Sequence, residues 1–211
     1  MFVPMISVFR PTISGHIEIK HEEVEETHYI DTPDGKGTEV KFPKACCCRL
    51  YRTAILLPKL LAQDSPAEQL ANRQVVSEAF GDVLIAGLGI GMTTVAILQK
   101  PTVRTVTVVE SDAEVLRVVG DVLKKLPDAQ RKLGFVHADI TEWKPYKRKW
   151  STIWFDIWSS VDEETIPMIN FLHKKYQKHK RPDGYMGSYK QQFLRNTRKD
   201  QRSPQKDWSD L

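Results

Sequence analysis

"GDVLIAGLGIGMTTVAILQK", Gly81–Lys100, decides the fold. An apolar run from Val83 to Ala86 passes into glycines at 87, 89 and 91 and then into an apolar segment of helical character. Glycine has no Cβ, so it permits both a tight turn and the close approach of a second group. The helix that follows aims its unpaired N–H groups at the same place. The stretch therefore predicts a strand, a loop lying against a ligand, and a helix. A side chain at Gly89 is expected to intrude on that ligand.

Working outward, the same alternation continues downstream. "VRTVTVVE" is a second strand and "DAEVLRVVGDVLKKL" its helix; "KLGFVHAD" is a third strand. "WSTIWFDIW" is a fourth, "EETIPMINFLHKKYQKHK" a helix, and "DGYMGSY" a fifth strand. Near-continuous apolar strands separated by helices predict an α/β fold with a doubly wound, mostly parallel sheet covered on both faces. Upstream, "QDSPAEQLANRQVVSEAFG" reads as a helix capped by Ser65, with Pro66 at its first position and Glu68 completing a capping box. Leu70, Val75 and Ala79 are expected on its buried face. Residues 1–60 read as a small β-rich unit: "HIEIKHEEV" alternates, "DTPDGKGTEVKF" offers a turn at Asp34-Gly35, and "ACCCRLYRTAILL" supplies a further strand. The expected division is a β-rich unit over 1–60, a Rossmann-like domain over 61–190, and a basic polar tail over 191–211. Either the main sheet stops at five strands or the N-terminal unit supplies another edge.

The 211 residues are 41% hydrophobic and 27% charged, as in ordinary soluble domains. No apolar run approaches the roughly 18 residues of a membrane span. A secretory leader is not expected at "MFVPMISVFRPT", and the expected location is cytoplasmic. The consecutive Cys46, Cys47 and Cys48 have the wrong geometry for an ordinary disulfide, and no metal-ligand spacing stands out. The net charge is +4, with basic runs near the C-terminus that offer a contact for nucleic acid. A homo-oligomer is compatible with the sequence without being required by it.

Two acids follow the glycines. Glu110 ends the second strand, about 20 residues on, where a carboxylate in such a sheet can accept both hydroxyls of a ribose. Asp139 ends the third strand, near the expected place of an adenine; its local alternative is to cap "ADITEW". A dinucleotide fingerprint would put a third glycine at Met92. The glycines instead alternate, which favours S-adenosylmethionine over NAD.

With these residues in hand, "VLIAGLGIGM", "VTVVESDAEVL", "FVHADITEW" and "TIWFDIW" resemble the successive motifs of class I S-adenosylmethionine-dependent methyltransferases, over roughly residues 60–190. The closest resemblance is to the spermidine-synthase-like branch, through the β-rich unit, Ala86 before the first glycine, and the capped helix. The resemblance implies that Gly87, Gly89 and Gly91 pass under the methionine moiety and that Glu110 holds the ribose. It likewise implies that Asp139 and the Ile140 backbone hold the adenine, that Gln63 contacts the cofactor, and that Asp156 faces the reaction centre as the candidate catalytic acid. Ile90 and Ser159 stand where polyamine synthases carry acids, which argues against polyamine synthesis. The implied activity is methyl transfer to an acceptor the sequence does not name; the alternative is a non-catalytic binder of the cofactor. If the fourth strand is regular, Trp154, Asp156 and Trp158 share one face and Phe155 and Ile157 the other.

Overall fold

In a computed structural model the described residues are 1–30, 38–53, 57–158, 162 and 164–191. The turn expected at Asp34-Gly35, Ser159 and nearly all of the basic tail lie outside them.

The glycine stretch forms the centre of a five-stranded sheet. Strand β5 (Gly81–Ala86) is flanked by β6 (Val103–Glu110) and β8 (Trp150–Phe155), with β7 (Leu133–His137) and β9 (Lys180–Ser188) at the edges. All four pairings are parallel. The order β7-β6-β5-β8-β9 reverses at β5, so the carboxyl ends of β5 and β8 open a crevice there.

Alternation along the strands divides the core in two. Val83, Ile85, Val106, Val108 and Trp154 face one side, packed with Val75, Val95, Ile97 and Leu123. Leu84, Ala86, Val109, Ile153 and Phe155 face the other, against Leu172 and Tyr176 of helix α6 (Thr165–Tyr176). The central strands β5 and β8 bury both faces, as their continuous apolar runs require, whereas the edge strand β7 has no fully buried residue.

Helix α1 (Pro66–Glu78) begins as its sequence indicates: the Ser65 hydroxyl accepts from the Glu68 N–H at 3.4 Å, and Pro66 occupies the first turn. Its buried face carries Ala67, Asn72 and Val75, whereas Leu70 is exposed. The expectation for Leu70 is corrected by helix geometry. Five residues at 3.6 per turn put Leu70 well round the cylinder from Val75. After α2 (Met92–Leu98), the segment following β6 is broken into α3 (Ala113–Val115), a π turn (Leu116–Gly120) and α4 (Asp121–Leu123). A short α5 (Ala129–Lys132) leads into β7.

The N-terminal residues form a separate antiparallel sheet in the order β1-β2-β3-β4, from β1 (Thr12–Ser14) through β2 (Ile17–Ile30) and β3 (Thr38–Arg52) to β4 (Lys59–Gln63). Ile17, Ile19, Cys48 and Leu50 join the first core, while Glu22, on the other face, accepts from Tyr51 at 2.6 Å and Arg49 at 2.9 Å. Arg52 ties this sheet to the main domain, pairing with Asp112 and, at 3.1 Å, with Glu114. Among the described residues, no helix is long and apolar enough to cross a membrane.

Candidate functional site

At the crevice lies a cavity of 560 Å³. Gln63, Gly87, Gly89, Gly91, Glu110, Asp139, Ile140 and Asp156 all line it. Residues as far apart as Gln63 and Asp156 in the sequence are brought together because β4, β5, β6, β7 and β8 all end at this place.

The three glycines have φ of +90°, +50° and +81°, the left-handed region that side chains disfavour. Their first reason is internal. A Cβ on Gly87 would overlap the Asp156 carbonyl oxygen, and one on Gly91 would meet Leu123 Cδ1 at 2.5 Å. The expectation for Gly89 is corrected in kind: an added Cβ there meets Ala62 of β4 at 3.0 Å, so the obstruction begins with the protein itself. Gly87→Ala is expected to lower stability by roughly 2–4 kcal/mol through overpacking and left-handed strain, read as a lower denaturation midpoint at unchanged slope.

Glu110 Oε2 accepts the Leu88 N–H and Oε1 the Asp112 N–H, each at 2.8 Å. The carboxylate thus fixes the glycine loop to the start of α3 and keeps lone pairs for a ligand. Burial pushes its pKa upward despite these donors. Asp139 Oδ1 accepts from both the N–H and the hydroxyl of Thr141 at 2.7 Å. The local capping role is therefore present, on a turn rather than a helix, and these bonds hold the acid below its ordinary pKa. The Ile140 carbonyl accepts from Tyr176 at 2.9 Å, leaving its N–H as the backbone group available to a ligand.

Gln63 donates to Glu26 at 2.6 Å, and its Oε1 is buried with no partner among the described residues. Trp154 Nε1 and Asn72 Oδ1 are likewise buried without partners, and both residues line the cavity. Unpaired buried polar atoms are unfavourable in a closed protein and mark where a ligand would complete the set.

Asp156 follows the last residue of β8, its N–H bonded to the Ala86 carbonyl at 2.9 Å. Burial first, then the charge of Glu68, pushes it up to about 7, against the pull of Lys190. The regular-strand expectation for its neighbours is corrected. Trp154 belongs to the first core and Trp158 packs with the second, because the strand ends at Phe155 and alternation ends with it. All three still line the cavity.

Residues the motifs did not reveal complete the wall. Tyr189 donates to Glu68 Oε1 at 2.7 Å, and burial with that contact raises its pKa, so it stays a protonated donor. Among the described residues, Lys190 is the cavity's one ammonium, whereas Glu68, Glu110, Asp112, Asp139 and Asp156 contribute five carboxylates. The position of Tyr189, one residue beyond a strand that pairs with β8, was the available signal for it.

Solved structures resemble parts of this chain. The glycopeptide N-methyltransferase MtfA, complexed with S-adenosyl-L-methionine, is 19% identical with a TM-score of 0.43, over 56% of this chain and 48% of that one. The CcbJ methyltransferase from Streptomyces caelestis is 17% identical with a TM-score of 0.45, over 57% and 48%. An S-adenosylmethionine-dependent methyltransferase from Leishmania major is 16% identical with a TM-score of 0.42, over 57% and 48%. The chain thus spans about half the length of these proteins. No protein-family model and no curated protein matches the sequence.

Proposed function

We propose that the protein binds S-adenosylmethionine in this cavity and transfers its methyl group to an acceptor entering beside Asp156. One observation carries the reading: among the described residues, five carboxylates and one ammonium line a cavity formed by alternating glycines at the switch point of a parallel sheet. Such a lining opposes the diphosphate of a dinucleotide and favours a sulfonium, which is cationic. The motif resemblance to methyltransferases, including the spermidine-synthase-like branch, supports the same reading.

Each residue then has a task. Glu110 receives the ribose hydroxyls on the lone pairs its backbone donors leave. Asp139 and the Ile140 N–H meet the adenine edge, and Trp158 and Val115 flank it. Gln63 Oε1 and Asn72 Oδ1 are acceptors for ligand N–H groups. When bound, S-adenosylmethionine supplies an electrophilic methyl group; the protein's part is to align a nucleophile with it. Asp156, ionised near neutrality, is placed to take a proton from that nucleophile. Tyr189, held by Glu68, and Trp154 shape the acceptor side.

Calorimetry with S-adenosylmethionine, S-adenosylhomocysteine and NAD tests the binding. The first two are expected to bind and NAD to bind at least tenfold more weakly; tighter NAD binding rejects the reading. Tight binding with no methylated product from any extract would leave a cofactor-binding protein instead.

A further inference from the structure

We infer that a second surface, beside the cavity, binds single-stranded nucleic acid. It is assembled from two segments, 144–149 and 174–181. Four of the first six residues are cations (Lys144, Lys147, Arg148, Lys149), as are five of the second eight (Lys174, Lys175, Lys178, Lys180, Arg181), and neither segment contains an acid.

The fold joins them. His179 Nδ1 lies 2.9 Å from the Arg148 carbonyl, and Tyr176 donates to the Trp143 carbonyl at 3.1 Å. Burial lowers the pKa of Lys175, Glu142 and Asp139 oppose it, and Lys144 and Lys178 add to it, which places the two segments within electrostatic reach of each other. Arg181 has Asp82 at 3.6 Å. Among the described residues, no carboxylate lies within ion-pair distance of Lys144, Lys147, Lys149, Lys174 or Lys178. Glu142 and Asp139 act on Lys175, and Asp82 on Arg148 and Arg181, yet the cations of the two segments outnumber these acids, so the patch is net positive and attracts a polyanion.

The patch also carries an aromatic ring. Tyr146 is 83% exposed, with the Lys147 ammonium 5.3 Å from its ring centroid. Lys147, next to Tyr146 in the chain, has φ of +42°, in the left-handed region. Phosphate-binding cations around an exposed ring are what a single strand needs: backbone charge is neutralised while a base stacks. The surface adjoins the cavity, since Lys175 donates to the Thr141 carbonyl at 2.5 Å and Thr141 lines the cavity. The inference concerns binding and stands independently of methyl transfer.

Fluorescence anisotropy on the full chain tests it, using a labelled single-stranded RNA of about 16 nucleotides, a length one binding groove can hold. Lys147→Glu combined with Lys178→Glu is expected to weaken binding at least tenfold and to flatten the salt dependence by about 0.7 per lost phosphate contact. Tyr146→Ala is expected to weaken single-strand binding about tenfold while leaving duplex binding unchanged. These side chains are exposed, so melting curves should match the parent protein. Unchanged affinity in the double variant would assign binding to another surface, such as the tail. A silent Tyr146→Ala, or stronger binding to phosphatidylserine vesicles through the same lysines, would also overturn the inference.

Discussion

Asp156→Asn is expected to reduce single-turnover methyl transfer by about 10²–10⁴, the range of general acid–base catalysis, while cofactor affinity changes little. The amide keeps the shape of the acid, and the backbone bond to Ala86 does not involve the side chain. The parent protein's rate should climb with pH through about 7, where Asp156 ionises; the variant should lack that limb. Stability supplies a second reading. The fold raises this acid above its ordinary 3.8, so its stabilising contribution is complete below that value and is lost as pH rises through 7. Asparagine carries no such dependence. Relative to the parent, the variant's melting temperature should therefore rise between about pH 4 and 7 and level off above it. A variant with full turnover would remove Asp156 from the chemistry, and a parallel loss of affinity and turnover would make it a cofactor anchor.

Glu110→Gln should weaken S-adenosylmethionine binding at least tenfold. The parent acid offers two oxygens to two backbone donors and still has lone pairs for ribose; glutamine offers one oxygen and must turn its NH₂ toward a donor. A hydrogen bond to a charged group contributes about 1.5–3 kcal/mol, and the variant weakens several at once. Loop anchoring to Leu88 and Asp112 will also suffer, so a lower melting temperature is expected alongside. Calorimetry on the folded fraction separates the two effects, and unchanged affinity there would place the ribose elsewhere.

The sheet was legible because Val83–Ala86 and Ile153–Phe155 are uninterrupted apolar runs, and Val106–Val109 is broken only by Thr107, each closed by a glycine or an acid, a local signal. The cavity lining was legible where residues sit at strand ends, as Glu110, Asp139 and Asp156 do. The contact between Glu68 and Tyr189 was not, because it spans 121 positions and no local pattern links the two residues. Glu68 also had a sufficient local explanation as a capping residue, which concealed its place on the wall. Trp158 was misassigned to a face because sequence alternation gives no sign of where hydrogen bonding to the neighbouring strand stops. The π turn at Leu116–Gly120 is equally silent in the sequence, where the apolar spacing reads as an unbroken helix.

The acid-rich lining has a consequence for turnover. In the proposed reaction, methyl transfer would turn a sulfonium cation into a neutral thioether, so the cavity's negative field would attract what arrives more strongly than what must leave. Departure of the spent ligand is then assisted by the chemistry itself, and raising the ionic strength should narrow the gap between the two affinities, by screening the one interaction that tells them apart.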